Sequence, residues 1–217
     1  MLDLKKVVDQ GWLEIDFPHD QSLLKLAEQY GHPIGIRLNA NASDVLIPRE
    51  KKDAKVHSLS AEYGMEAFPF HTDCAYYLVP PRFIFFRSKI VNNNCATLLH
   101  KISNLHFSPT QIELLKTGLF EIRGHHKMFF ASLLEKGIFR WDKNCVKAID
   151  RTAKEAVEVV ENMLKSTPPH KYYWINKNKV LIVDNWQVLH AREESSSFNR
   201  AIERILIEEK KNVNLGL

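Results

Sequence analysis

Two hydrophobic periods divide this chain. Strand-like runs, alternating or continuously apolar, fall at Gly11 to Phe17, Val56 to Ser60, Phe68 to Thr72, Phe83 to Val91 and Ala96 to Leu99. More follow at Phe120 to Arg123, Met128 to Leu134, Ile138 to Trp141, Tyr172 to Ile175, Val180 to Asp184 and Ala201 to Glu208. Helical spacing interrupts them. Asp20 is a candidate N-cap for a helix to Tyr30, with Leu23, Leu24 and Leu26 mostly on one side and Gly31 as its stop. Ser108-Pro109 opens a short helix to about Leu119, the serine as N-cap and the proline at the first helical position. The clearest helix follows Asp150: Ala153, Ala156, Val157, Val160 and Leu164 share a face until Pro168-Pro169 ends it. Ala40 to Ala54 is polar and aperiodic, the pattern of a mobile loop or lid.

Many short strands with two or three helices predict a mainly β fold, a double-sheet β-barrel or jelly roll with helices packed outside. No internal repeat, low-complexity tract or Gly/Ser linker divides the 217 residues, so a single domain over residues 1–217 is expected. The composition, 45% hydrophobic and 26% charged, is that of an ordinary globular chain. No stretch approaches the roughly 20 apolar residues of a membrane span. The opening Met1-Leu2-Asp3-Leu4-Lys5-Lys6 lacks a signal-peptide h-region, and a cytoplasmic location is expected. The net charge of +4 is spread along the chain, and Lys210-Lys211 follows two acids, Glu208 and Glu209. Nucleic-acid binding asks for a basic stripe with interleaved aromatics, which is not found, and neither nucleic acid nor membrane is an expected partner. Cys74, Cys95 and Cys145 form no CxxC pair and read as reduced core thiols.

Ten histidines are present, of which His19, His32, His106 and His170 lie in turns or polar stretches. His71-Thr72-Asp73 differs. In a strand, positions i and i+2 face the same way, so an imidazole and a carboxylate would point together into a barrel. His190 follows the strand Val180 to Val183 and can bring a second imidazole from across it. Two histidines and one carboxylate on one face of an octahedron leave three open sites, the arrangement of non-heme Fe(II) oxygenases. Zinc would favour a closed tetrahedral set, and no cysteine is placed to complete one. Arg200 and Arg204 sit at i and i+4 of a strand pattern and share a face, suited to gripping carboxylates. Thr97 adds a hydroxyl in an apolar strand. Adjacent His125 and His126 face opposite ways and read as a solvated turn, while Tyr76, Tyr77, Phe85, Phe86, Phe129 and Phe130 read as core.

In this order, at these spacings, the motifs resemble the taurine dioxygenase and clavaminate synthase-like family of Fe(II)- and 2-oxoglutarate-dependent oxygenases, over about Val56 to Glu208. Phe70-His71-Thr72-Asp73 is similar to the family's HTD motif, and Pro80-Pro81 to the pair that follows it. Thr97-Leu98, Asp184-Asn185 through His190, and Arg200-x-x-x-Arg204 complete the match. The resemblance implies a double-stranded β-helix (jelly-roll) core over about residues 56–209, with Fe(II) held by His71, Asp73 and His190. It places 2-oxoglutarate and O2 as cosubstrates, with Thr97, Arg200 and Arg204 at the cosubstrate end. The first arginine usually anchors the distal carboxylate and the second borders the substrate; Arg140, in Phe139-Arg140-Trp141-Asp142, is a further substrate candidate. Asp184 or Asn185 is expected to orient His190. The implied reaction hydroxylates a small anionic or amino-acid-like molecule and forms succinate and CO2. Asp73 stands where related halogenases carry a small residue, which disfavours halogenation. The chain departs from the family in being short, with His190 only 117 positions beyond Asp73, and in reaching Thr97 through Asn93-Asn94-Cys95-Ala96. Two other readings stay open: a cupin-like dioxygenase or isomerase that does not use 2-oxoglutarate, and a catalytically silent jelly-roll binding module.

Overall fold

Phe83, Ile84, Phe85 and Phe86 are buried in succession, which marks a strand covered on both faces, and the fold is laid around it. The computed structural model describes residues 2–36, 40–56, 58–124 and 127–209. The His125-His126 and Lys210-Lys211 pairs lie outside the described residues. The chain begins with α1 (Leu4–Gln10), β1 (Trp12–Asp16), α2 (Leu23–Glu28), β2 (Gly31–Ile34), β3 (Ser43–Leu46) and α3 (Leu59–Tyr63). Next come β4 (Phe68–His71), β5 (Phe83–Ile90), β6 (Asn92–Lys101), α4 (Pro109–Thr117), β7 (Phe120–Arg123) and β8 (Met128–Ala131). It continues through β9 (Leu134–Glu135), β10 (Ile138–Phe139), β11 (Val146–Ala148) and α5 (Arg151–Ser166). The last strands are β12 (His170–Trp174), β13 (Lys179–Asp184), β14 (Val188–Arg192) and β15 (Ala201–Glu209).

One sheet has the order β1-β13-β5-β15-β2, with β3 also paired to β15. The other has the order β12-β6-β14-β4. Their facing sides share an apolar layer that includes Ile84, Phe86, Leu181 and Leu206 from the first sheet and Leu99, Trp174 and Val188 from the second. This is the expected jelly-roll (double-stranded β-helix) architecture, with helices outside. Val7, Leu23, Leu26 and Ala27 of α1 and α2 cover Phe85, Ile182 and Ile205 on the outer face of the larger sheet. Helices α4 and α5 and the small β11-β7-β8 sheet cover the smaller one, with Leu189 of β14 in that layer. Among the described residues no helix is long and apolar enough to cross a membrane.

Both well-signalled helices form as read. Ser108 closes a capping box with Gln111, and Asp150 accepts the Ala153 N–H at 2.6 Å. Other expectations need correction. The N-cap of α2 is Ser22, not Asp20, because residues 18–21 first close a turn, Gln21 N donating to the Pro18 carbonyl. Gly31 opens β2 rather than stopping the helix: a Cβ there would collide with the Glu208 carbonyl of β15. The expected strand from Val56 to Ser60 does not form among its described residues, since the Ser58 hydroxyl accepts the Ala61 N–H and starts α3. Ala40 to Ala54 contains β3, held in register against β15. The expected core boundary at residue 56 therefore moves back, because β1, β2 and β3 all belong to the larger sheet.

Candidate metal centre

His71 ends β4 and stands directly opposite His190 on β14, so the two rings face each other with centroids 4.4 Å apart. Asp73 reaches the same place differently from the expected strand alternation: the strand stops at His71 and a turn carries the acid round, with Cys74 at φ +55°. Two contacts fix that turn. The Thr72 N–H donates to the Trp141 carbonyl at 2.7 Å. Asn185, on the β13–β14 connection, accepts the Asp73 N–H at 2.8 Å and donates to the Asp73 and Pro81 carbonyls, each at 2.9 Å. One ligand atom each from His71, Asp73 and His190 lies within 4.8 Å of the others, and all three residues are buried. His71 Nε2 and His190 Nε2 lie 3.8 and 3.7 Å from Asp73 Oδ1. His71 Nδ1 meets the Pro69 carbonyl at 2.9 Å, which makes it the protonated nitrogen and leaves the Nε2 lone pair toward the acid. Burial, with the His190 ring beside it, pushes the His71 imidazole down to about 4, so at neutral pH it is in the form that binds metal.

Arg204 is the strongest charge at Asp73. Its Nη1 donates to both carboxylate oxygens at 2.9 Å, and its Nη2 reaches Asp44 Oδ2 at 3.1 Å. Asp44 lies directly across the β15–β3 ladder from Arg204, which is why the two meet. Burial alone would raise the Asp73 carboxyl; Arg204 and the two imidazoles hold it well below the usual carboxylate range. Arg204 thus has two acid partners, Asp73 and Asp44, which leave it no uncompensated charge for a substrate anion.

Arg200 is buried and has no acid partner among the described residues. Its Nη2 donates to Thr97 Oγ1 at 3.0 Å, and its Nε finds no partner among them. Thr97 Oγ1 also accepts from Trp174 Nε1 at 2.9 Å, so both of its bonds to the protein are accepted and its own proton remains to give. The expected pair of Thr97 and Arg200 is therefore assembled, whatever the unusual approach through Asn93 and Asn94. A cavity of about 630 Å³ connects it to the cluster of His71, Asp73 and His190, lined also by Phe86, Tyr76, Asp142 and Arg192. Residues of the 40–60 segment, Asp44 and Ser58 among them, wall its other side. Tyr76 and Phe86 are therefore cavity wall as well as core, while Phe130 is exposed on β8.

The comparisons with known proteins come from structure. The chain matches the crystal structure of the non-heme iron oxygenase OrfP in complex with Fe and alpha-ketoglutaric acid, with a TM-score of 0.76 at 14% identity, over 95% of this chain and 78% of that one. An asparagine oxygenase in complex with Fe(II), 2S,3S-3-hydroxyasparagine and succinate matches with a TM-score of 0.73 at 14% identity, covering 91% and 74%. PvcB from Pseudomonas aeruginosa matches with a TM-score of 0.68 at 18% identity, covering 94% and 78%. The chain has the fold of the non-heme iron oxygenases. No protein-family model and no curated protein sequence matches it.

Three remaining placements differ from the sequence reading. Arg140 does not line the cavity at the triad; its guanidinium donates to the carbonyls of Ala75, Tyr77 and Leu78 and lies over the Phe129 ring. Neither Asp184 nor Asn185 hydrogen-bonds His190. Asp184 caps the turn at Trp186 and Gln187, and Asn185 serves Asp73. Residues the sequence reading passed over are Asp44 and Arg192. Asp44 needs the β3–β15 pairing to be seen. Arg192 had a usable signal: His190-Ala191-Arg192 read as strand puts the arginine on the histidine's face.

Proposed function

We propose that this chain is an Fe(II)- and 2-oxoglutarate-dependent oxygenase, a single cytoplasmic domain that hydroxylates a small amino-acid-like molecule with formation of succinate and CO2. The observation that carries the reading is one cavity that holds both His71, Asp73 and His190 and the Arg200–Thr97 pair. The donor set fits a divalent metal that keeps open sites, with two imidazoles, one carboxylate and no cysteine among the three ligands. Iron, when bound, supplies dioxygen activation coupled to oxidative decarboxylation of 2-oxoglutarate. His71 and His190 would hold it from the paired strands β4 and β14, together with the Asp73 carboxylate, which Arg204 orients. Arg200 and the Thr97 hydroxyl would take the distal carboxylate of the cosubstrate. A buried guanidinium without a counter-ion is costly, and a cupin-like enzyme that does not use 2-oxoglutarate has no need of it. Three unpaired buried cysteines support a reducing compartment.

The amino-acid-like limb of the substrate class is favoured over a plain anion. Arg204 is already paired, whereas Asp142 lines the cavity with no ion pair among the described residues. Burial raises its carboxyl to about 6, and a basic group on the substrate would relieve that. OrfP in complex with (3S)-hydroxy-L-Arg has the same fold. Succinate release, measured with Fe(II) and 2-oxoglutarate against amino acids, other small acids, neutral metabolites, peptides and oligonucleotides, tests the reading. Stimulation by amino acids is expected. Stimulation confined to peptides, oligonucleotides or neutral compounds would overturn the substrate class, and no succinate under any condition would overturn the activity.

A further inference from the structure

Arg200 is not the only buried guanidinium at its end of the cavity. Arg192 is 7% exposed and Arg200 5% exposed, both line the cavity, and neither has a carboxylate within ion-pair distance among the described residues. Arg192 pairs with Thr97 across the β14–β6 ladder, and Thr97 in turn accepts the Arg200 bond. In the same ladder His190 pairs with Leu99, so Arg192 projects from the face that carries the metal ligand. Its placement is firm. Nη2 donates to the Gly64 and Glu66 carbonyls at 2.8 and 2.6 Å, Nε donates to the Glu193 carbonyl at 3.3 Å, and the group lies 3.7 Å from the Phe68 ring centroid. Nη1 makes no hydrogen bond to a described residue, and the side chain lines the cavity.

Backbone carbonyls and an aromatic face satisfy geometry but bring no counter-charge. Two buried charges of like sign that line one cavity, with no carboxylate within ion-pair distance among the described residues, are left without compensation. At the triad the balance is opposite: Asp73 and Asp44 outnumber Arg204. The cavity is therefore polarised, with its unmet positive charge gathered around Thr97.

We infer that Arg192 is a second cationic group for the distal carboxylate of the 2-oxo acid, acting beside Arg200 and Thr97 to select a dicarboxylate cosubstrate. The inference rests on the proposed function and extends it to a residue with no role in that reading. A purely structural Arg192 would brace the Gly64–Glu66 segment and affect every ligand alike. A selecting Arg192 affects only acids that carry the distal charge.

The test is a cycle of dissociation constants in anaerobic Fe(II) protein, using 2-oxoglutarate and 2-oxobutyrate, which lacks the distal carboxylate. Arg192→Gln is expected to weaken 2-oxoglutarate roughly tenfold to hundredfold, the worth of a charge-assisted hydrogen bond, and to leave 2-oxobutyrate within about twofold. Arg192→Lys keeps the charge and should restore most of the preference. The ratio of the two constants is read within one variant, so partial loss of folded protein cancels. Equal weakening of both acids, or no change in the ratio for Arg192→Gln, overturns the inference and leaves the proposed function standing. Wild-type protein that fails to prefer 2-oxoglutarate over 2-oxobutyrate overturns the proposed function, and the inference with it.

Discussion

Asp142 lines the cavity and has no ion pair among the described residues, and burial raises its carboxyl to about 6. In the unfolded chain an Asp titrates near ~3.9. Between those values the unfolded chain is ionised while the folded one still holds its proton, so folding is penalised progressively as pH rises from about 4 to about 6. Above that the penalty is constant, about 2 kcal/mol for a partly buried group. Asp142→Asn should therefore raise the melting temperature of the metal-free protein by a few degrees at pH 7.5, with the gain disappearing near pH 4. A gain of equal size at both pH values would show that Asp142 is not ionised against its surroundings. Arg204 shows what residue types alone cannot tell. Its identity marked it as a carboxylate binder, but its partners, Asp73 and Asp44, are 131 and 160 positions away and meet it only through strand pairing.

Elements supply the positioning that the motif residues lack. The β13–β14 connection and the turn after β4 are joined by Asn185, which is 1% exposed and serves the Asp73 backbone with both ends of its amide. Asn185→Ala strips partners from one buried N–H and two carbonyls, and should cost about 2–4 kcal/mol in denaturant unfolding. Because Asp73 loses its orientation, Co(II) affinity should also fall roughly tenfold to hundredfold. Unchanged Co(II) binding in a destabilised variant would confine Asn185 to a structural part. Helices α4 and α5 were readable because Ser108 and Asp150 act within a few residues of themselves. Strand β3 was not, since Ser43 to Leu46 has little hydrophobic alternation and is strand only because β15 offers it an edge. Likewise Val188 to Arg192 is buried throughout, a pattern without the alternation that announces a half-exposed strand.

At the scale of the whole molecule, the pairing of β4 with β14 in one sheet places His71 and His190 in register, and the cavity beside them has an acidic end at Asp73 and a basic end at Arg192 and Arg200. The order of motifs along the chain was enough to foresee the jelly roll and the clustering of His71, Asp73 and His190, because each lies in or beside a run of strand-forming residues. The distribution of charge across the cavity was not legible, since it depends on which distant strands become neighbours. Binding of iron and cosubstrate together tests the central claim most directly. Anaerobic protein given Fe(II) and 2-oxoglutarate should develop the weak visible charge-transfer band of a chelated 2-oxo acid, and His71→Ala and His190→Ala should each abolish it. No band in the parent protein, or a full-strength band in both variants, would contradict the account.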